Sequence, residues 1–209
     1  MKSILITIGT ILFLALGTSF AETGIKSDIM KHDDWTSFKL TFPNGDVLLR
    51  MTTSNKNGTM FSIDEIPTDR GECHEAIQII SAPYEKINKN MTMTGYGLLS
   101  VQGYAPHRFI FTVTTDAEHN QAFYKLNKIE KFDEFINEAI ASSKISFELK
   151  LDGVPDDSAV EVFSLTGFTE AMLRGAKICK TFEELMKNRK SDSLELPGNS
   201  IQLPKGQPL

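Results

Sequence analysis

From Trp35 to Phe42 the residues WTSFKLTF alternate, with Trp35, Ser37, Lys39 and Thr41 on one side and Phe38, Leu40 and Phe42 on the other. A period of two places successive side chains on opposite faces of a strand. The PNGD that follows contains Asn44-Gly45, a turn pair, and VLLRMTT (47–53) resumes the apolar run. This pattern predicts a hairpin. After NKNG (55–58), TMFSIDEI (59–66) alternates again and predicts a third strand. MTMTGYGLLSVQGY (91–104) and HRFIFTVTT (107–115) predict two more. The glycines of the first mark a bulge or a close approach of another group. EAIQIISA (75–82) reads as a strand from its isoleucines or as a short helix from Glu75-Ala76.

Beyond Lys128 the period changes. Phe132, Phe135, Ile136, Ala139 and Ile140 recur at helical spacing, which predicts an amphipathic helix within 128–142. KISFELKLDG (144–153) returns to strict alternation, and AVEVFSL (159–165) reads as its partner strand. Gly167 then lets the backbone turn sharply, and Thr166 is a candidate N-cap. Phe168, Ala171, Met172, Gly175, Cys179, Phe182 and Met186 line one stripe of a second helix over 167–187. The fold class expected is α+β, a mainly antiparallel, sandwich-like sheet with two amphipathic helices near the C-terminus. One globular domain is expected over 35–187. A solvated lead-in at 22–34 precedes it, and a mobile tail rich in Pro, Gly, Ser and charge follows at 188–209.

The first 21 residues change the setting. MKSILITIGTILFLALGTSFA has one cation, Lys2, then an apolar run, then Ser19-Phe20-Ala21, a small-x-small pattern. These are the parts of a secretory signal peptide cleaved near Ala21. Its apolar run is shorter than the roughly 20 residues of a bilayer-spanning helix. The expected location is therefore periplasmic or secreted, with no membrane span after cleavage. The chain carries a net charge of −5, which argues against general nucleic-acid binding.

Two cysteines, Cys73 and Cys179, are the only ones in the chain. An exported chain with two cysteines ordinarily pairs them, and a disulfide is the expected state. The alternative is a thiol nucleophile at Cys73 beside His74, although adjacent residues of a strand point to opposite faces. The cysteines lack zinc-site spacing, and no P-loop, dinucleotide fingerprint or nucleophile elbow occurs. No metal, cofactor or catalytic residue is assigned. Asp64-Glu65 with Asp69, and Asp156-Asp157, are acidic pairs that could bind calcium or act as paired carboxylates, but without EF-hand spacing they read first as solvated turns. His107-Arg108 reads as a surface pair or an anion contact, and Tyr96, Tyr104 and Tyr124 as sheet residues or the lining of a binding face.

One arrangement is familiar. Helix, alternating strand, turn, strand and then Phe163, Ser164, Leu165, Gly167, Phe168 and Ala171 opening a terminal helix resembles the C-terminal part of exported bacterial proteins of the invasion-associated locus B type. The resemblance covers about a quarter of the chain. It implies a β-rich envelope or secreted protein, in some members tied to host-cell invasion, and no established catalytic residues. The function expected is a non-catalytic interaction module with a protein partner in the envelope or host. The alternatives are a periplasmic small-ligand carrier and a thiol or carboxylate hydrolase. Neither the partner nor the oligomeric state is written in the sequence.

Overall fold

The computed structural model describes residues 13–14, 21–22, 24–68, 72–81, 86–152 and 158–192. The segment read as a signal peptide, apart from a two-residue pair β1 (Phe13–Leu14) and β2 (Ala21–Glu22), and the tail from 193 onward lie outside the described residues. Ten further strands follow: β3 (Ile25–His32), β4 (Trp35–Thr41), β5 (Val47–Ser54), β6 (Met60–Pro67), β7 (Cys73–Ser81), β8 (Thr92–Val101), β9 (His107–Asp116), β10 (Gln121–Ile129), β11 (Lys144–Leu151) and β12 (Ser158–Ser164). Helix α1 (Phe132–Ile140) lies between β10 and β11, and α2 (Phe168–Asp192) follows β12.

The ten strands form one antiparallel sheet in the order β12-β11-β8-β9-β10-β7-β6-β5-β4-β3. The mainly antiparallel α+β reading holds. A single open sheet stands where a sandwich was expected, with β3 and β12 as its two edges. The sheet nevertheless curls. Phe61 on β6 lies 4.9 Å from the Phe147 ring on β11 and 5.5 Å from Phe163 on β12, although four strands separate β6 from β11 in the sheet. Alternation explains the inner face: Trp35, Met51, Phe61, Ile63, Ile79, Phe111 and Phe147 point into one buried cluster. Burying side chains of this size stabilises by about 1.5–3 kcal/mol each.

The glycines of β8 serve that core. A Cβ on Gly95 would strike the Phe111 ring, and one on Gly97 the Phe109 ring. A smaller cluster of Phe38, Leu40, Leu48 and Ile80 occupies the opposite face of β4, β5 and β7. Residues 75–81 are strand, as the isoleucines indicated.

Two strands were not anticipated. The lead-in contains β3, an edge strand with mostly exposed side chains, so no buried alternation marked it. The stretch before α1 is β10, whose alternation is broken by a register shift between Leu126 and Lys128. Helix α1 buries Phe135 and Ala139, whereas Ile140 is 46% exposed. Asp133 and Glu134 sit in its first turn, where the helix dipole favours negative charge. Helix α2 runs to Asp192, beyond the 187 expected.

Candidate functional site

The strand-to-helix motif is a docking turn. Phe163, Leu165, Phe168 and Ala171 are all buried. The Trp35 indole N–H donates to the Ser164 carbonyl at 2.9 Å, and Trp35 stacks edge-on against Phe168 at 5.0 Å. The Asp34 amide donates to the Thr166 carbonyl. Gly167 has φ 86 and sits so close to the β3–β4 turn that a Cβ would run into the His32 carbonyl oxygen. Thr166 is not the N-cap, because α2 starts at Phe168; its amide instead donates to the Ser164 hydroxyl. The six motif residues therefore hold the turn in place, and their contacts are structural.

From this turn α2 crosses the inner face of β4, β5 and β6. Arg174 donates to the Ser37 carbonyl and hydroxyl oxygens and to the Asp28 carbonyl. One turn further on, Cys179 is bonded to Cys73 at the start of β7, with their Cα atoms 6.2 Å apart. Neither cysteine is free. Cys73 thus carries no thiol as it stands, and His74 is exposed beside it.

A cavity of about 160 Å³ opens against this disulfide. Leu49, Pro67 and Ile178 wall it, and Lys39, Asp28 and Glu65 bring charge to it. Glu65 is the residue that sequence reasoning undervalued. It projects from β6 onto the inner face, between Leu49 and Glu75 in register. It is only 6% exposed. Its carboxyl oxygen and both sulfurs lie within 4.8 Å of one another. The three could form a metal-ligand set only with the sulfurs apart; with the disulfide closed, the carboxyl alone is available.

Gly175 leaves room for the carboxyl, since a Cβ there would come 2.9 Å from Glu65 Oε1 and 3.0 Å from Met51 Sδ and push these side-chain ends aside. No hydrogen bond or ion pair holds the Glu65 carboxyl among the described residues. Burial first, and the Glu75 carboxylate second, push its pKa up to about 7. Glu75 is raised as well, by burial and by Asp133 of α1, with His74 opposing.

A pH dependence follows. The folded protein holds the Glu65 proton more tightly than the unfolded chain, so this contribution is complete below the ordinary value of 4.5 and is lost as pH rises through about 7. The loss is roughly 2 kcal/mol once partial solvent access is allowed for. Urea unfolding at steps from pH 5 to 8 should show that decline, and Glu65→Gln should flatten most of it. Glu75, whose carboxyl is raised as well, remains in the variant, so an undiminished slope would assign the effect to it.

The other candidates disperse. Asp64 points to the face opposite Glu65, where it pairs with Arg50 and accepts from Gln78 at 2.8 Å. Asp69, Asp156 and Asp157 lie outside the described residues. His107 is buried, with Nε2 2.7 Å from Glu138 Oε2, and so ties β9 to α1. Arg108 points outward, so the two do not form a joint anion site. Tyr96 and Tyr104 are exposed, whereas Tyr124 packs against the core 5.6 Å from Phe111. They do not share a face.

On the outer face of the other half of the sheet, Tyr96, Ile110, Val160 and Val162 are 55%, 52%, 61% and 48% exposed. Tyr96 stands opposite Ile110 on one side and Lys150 on the other. Val160 stands opposite Glu148, which pairs with Lys150 at 2.9 Å. No helix among the described residues is long and apolar enough to cross a membrane. No protein-family model, curated protein or solved structure matches the chain.

Proposed function

We propose that this chain is an exported, non-catalytic interaction module whose contact surface is the outer face of β8, β9, β11 and β12. The observation that carries the reading is the exposure of Tyr96, Ile110, Val160 and Val162 beside the open edge of β12. Apolar and aromatic side chains grouped on a surface favour protein contacts. The edge of β12 adds backbone donors and acceptors for a partner strand, except at Ser164, whose carbonyl Trp35 already takes. The Glu148–Lys150 pair between the apolar groups supplies polarity that would orient the partner. The disulfide is in keeping with an oxidising compartment. A host-contact role of the invasion-associated locus B kind rests on the resemblance of the stretch from Phe132 to Cys179, with its motif from Phe163 to Ala171.

The carrier reading is less favoured: the cavity at the disulfide is about 160 Å³, whereas ligand pockets usually measure about 300–1,000 Å³, and the larger hollow of about 560 Å³ beside Gly103, Tyr104 and Ser142 is shallow and open to solvent. The test compares immobilised wild-type protein with a Tyr96→Ser/Val160→Thr variant on envelope extracts of the source cell and on host-cell surface extracts. A partner retained by wild type and by Lys125→Gln, a change at an exposed residue of β10, yet held about ten-fold less by the double variant, is the expected result. Equal retention by all three would overturn the surface assignment.

A further inference from the structure

We propose that Cys73–Cys179 is an exchangeable disulfide at which the Glu65 carboxyl donates and accepts the proton of thiol–disulfide exchange, with a dithiol as reaction partner. Three independent features place it there. The Glu65 oxygen lies within 4.8 Å of both sulfurs. The carboxyl is 6% exposed and has no other bonding partner among the described residues. The cavity gives a small molecule a route to the sulfurs and the carboxyl together. A glutamine would fill the same space without a charge, so a carboxyl costs stability here that a neutral residue would not.

The exchange balances as follows. The dithiol's thiolate attacks Sγ of Cys73, which is more open to solvent than Cys179. The Cys73–Cys179 bond breaks, and Cys179 Sγ leaves with the electron pair and takes the proton of the Glu65 carboxyl. The dithiol's second thiol then gives its proton to the Glu65 carboxylate and attacks the reagent sulfur of the mixed disulfide. Cys73 leaves as a thiolate and is protonated from solvent. Two electrons pass to the protein, and the dithiol becomes a cyclic disulfide. By microscopic reversibility the same carboxylate takes the Cys179 proton when the bond forms. This concerns the rate of exchange; the closed form remains the favoured one.

A carboxyl with a pKa of about 7 is suited to both halves of this cycle at neutral pH. Above that value Glu65 has no proton to give, and its charge, with those of Glu75 and Asp28, opposes an incoming thiolate. Lys39 is the cation facing the cavity from β4, Asp133 acts from α1 through Glu75, and from α2 Arg174 is engaged by Ser37.

The experiment follows reduction of the intact protein by dithiothreitol from pH 5.5 to 8.5, with the rate divided by the reagent's thiolate fraction. Wild type should show a fall centred near pH 7, and Glu65→Gln should be about ten-fold or more slower below that pH and lack the fall. Glu75→Gln should keep the fast rate and move the fall to lower pH. Circular dichroism and the unfolding midpoint identify any variant that is misfolded; Glu65→Asp, which keeps a carboxyl, then serves in its place and should retain the fall. Identical profiles for wild type and Glu65→Gln would overturn the proposal. So would a wild-type rate that rises with urea in step with global unfolding, since the sulfurs would then be reached only in the unfolded chain.

Discussion

Asp64→Ala is expected to destabilise the protein by about 3–5 kcal/mol in urea or thermal unfolding. The reason lies on the second face of the sheet. Arg50 and Asp64, opposite each other on β5 and β6, are 1% and 3% exposed. The Arg50 Nε and Nη2 atoms donate to the two oxygens of Asp64, and Gln78 of β7 donates to the same carboxylate. Desolvating the two ions costs several kcal/mol each, and the two-point geometry offsets that cost only while both are present. Removing the carboxylate takes from a buried guanidinium the counter-charge that faces it. Replacing both, as Arg50→Met/Asp64→Leu, should come within about 1–2 kcal/mol of wild type. If the double variant were as unstable as Asp64→Ala, packing around the pair and not its charge would be the source of the loss.

Cys179→Ala should lower stability by about 2–5 kcal/mol in non-reducing buffer. The bond closes a loop across 106 positions, and a cross-link of that span removes much of the unfolded chain's freedom. It also fixes α2 beside Gly175, where the helix passes over Met51 and Glu65. The check is to repeat wild-type unfolding under strong reducing conditions. Reduced wild type should fall to within about 1 kcal/mol of Cys179→Ala, which reducing conditions should leave unchanged. An equal gap in both buffers would place the loss in packing at a residue 9% exposed.

Most strands with a buried face were readable one by one, although their order across the sheet was not. Asn44-Gly45 marked the β4–β5 turn, and Gly45 adopts φ 88 there. Ile145, Phe147 and Leu149 declared β11 because three inward positions alternate with polar ones. β3 was not legible, since its side chains are mostly exposed and its place is set by backbone pairing with β4. Nor could alternation distinguish one curled sheet from two packed ones, because both bury the same face of each strand. The cysteine count, read with the apolar N-terminal segment, pointed to the disulfide. It could not reveal Glu65, which looked like half of a solvated acidic pair. Its neighbour Asp64 is on the opposite face, and its own burial is completed by Gly175 on a helix far along the chain.

The bond from Trp35 to Ser164 has a bearing on how the molecule is made. It joins residues 129 apart, whereas β3 to β6 can pair strand by strand as each arrives. Local hairpins close in microseconds, and contacts between distant segments form more slowly. During synthesis from the N-terminus, Trp35 and Phe61 therefore wait for Phe163 and Phe168, which cover them. Until then the inner face is an apolar surface with no lid. The nascent chain is at its most aggregation-prone in that interval, and a chaperone holding it would protect the half of the sheet made first.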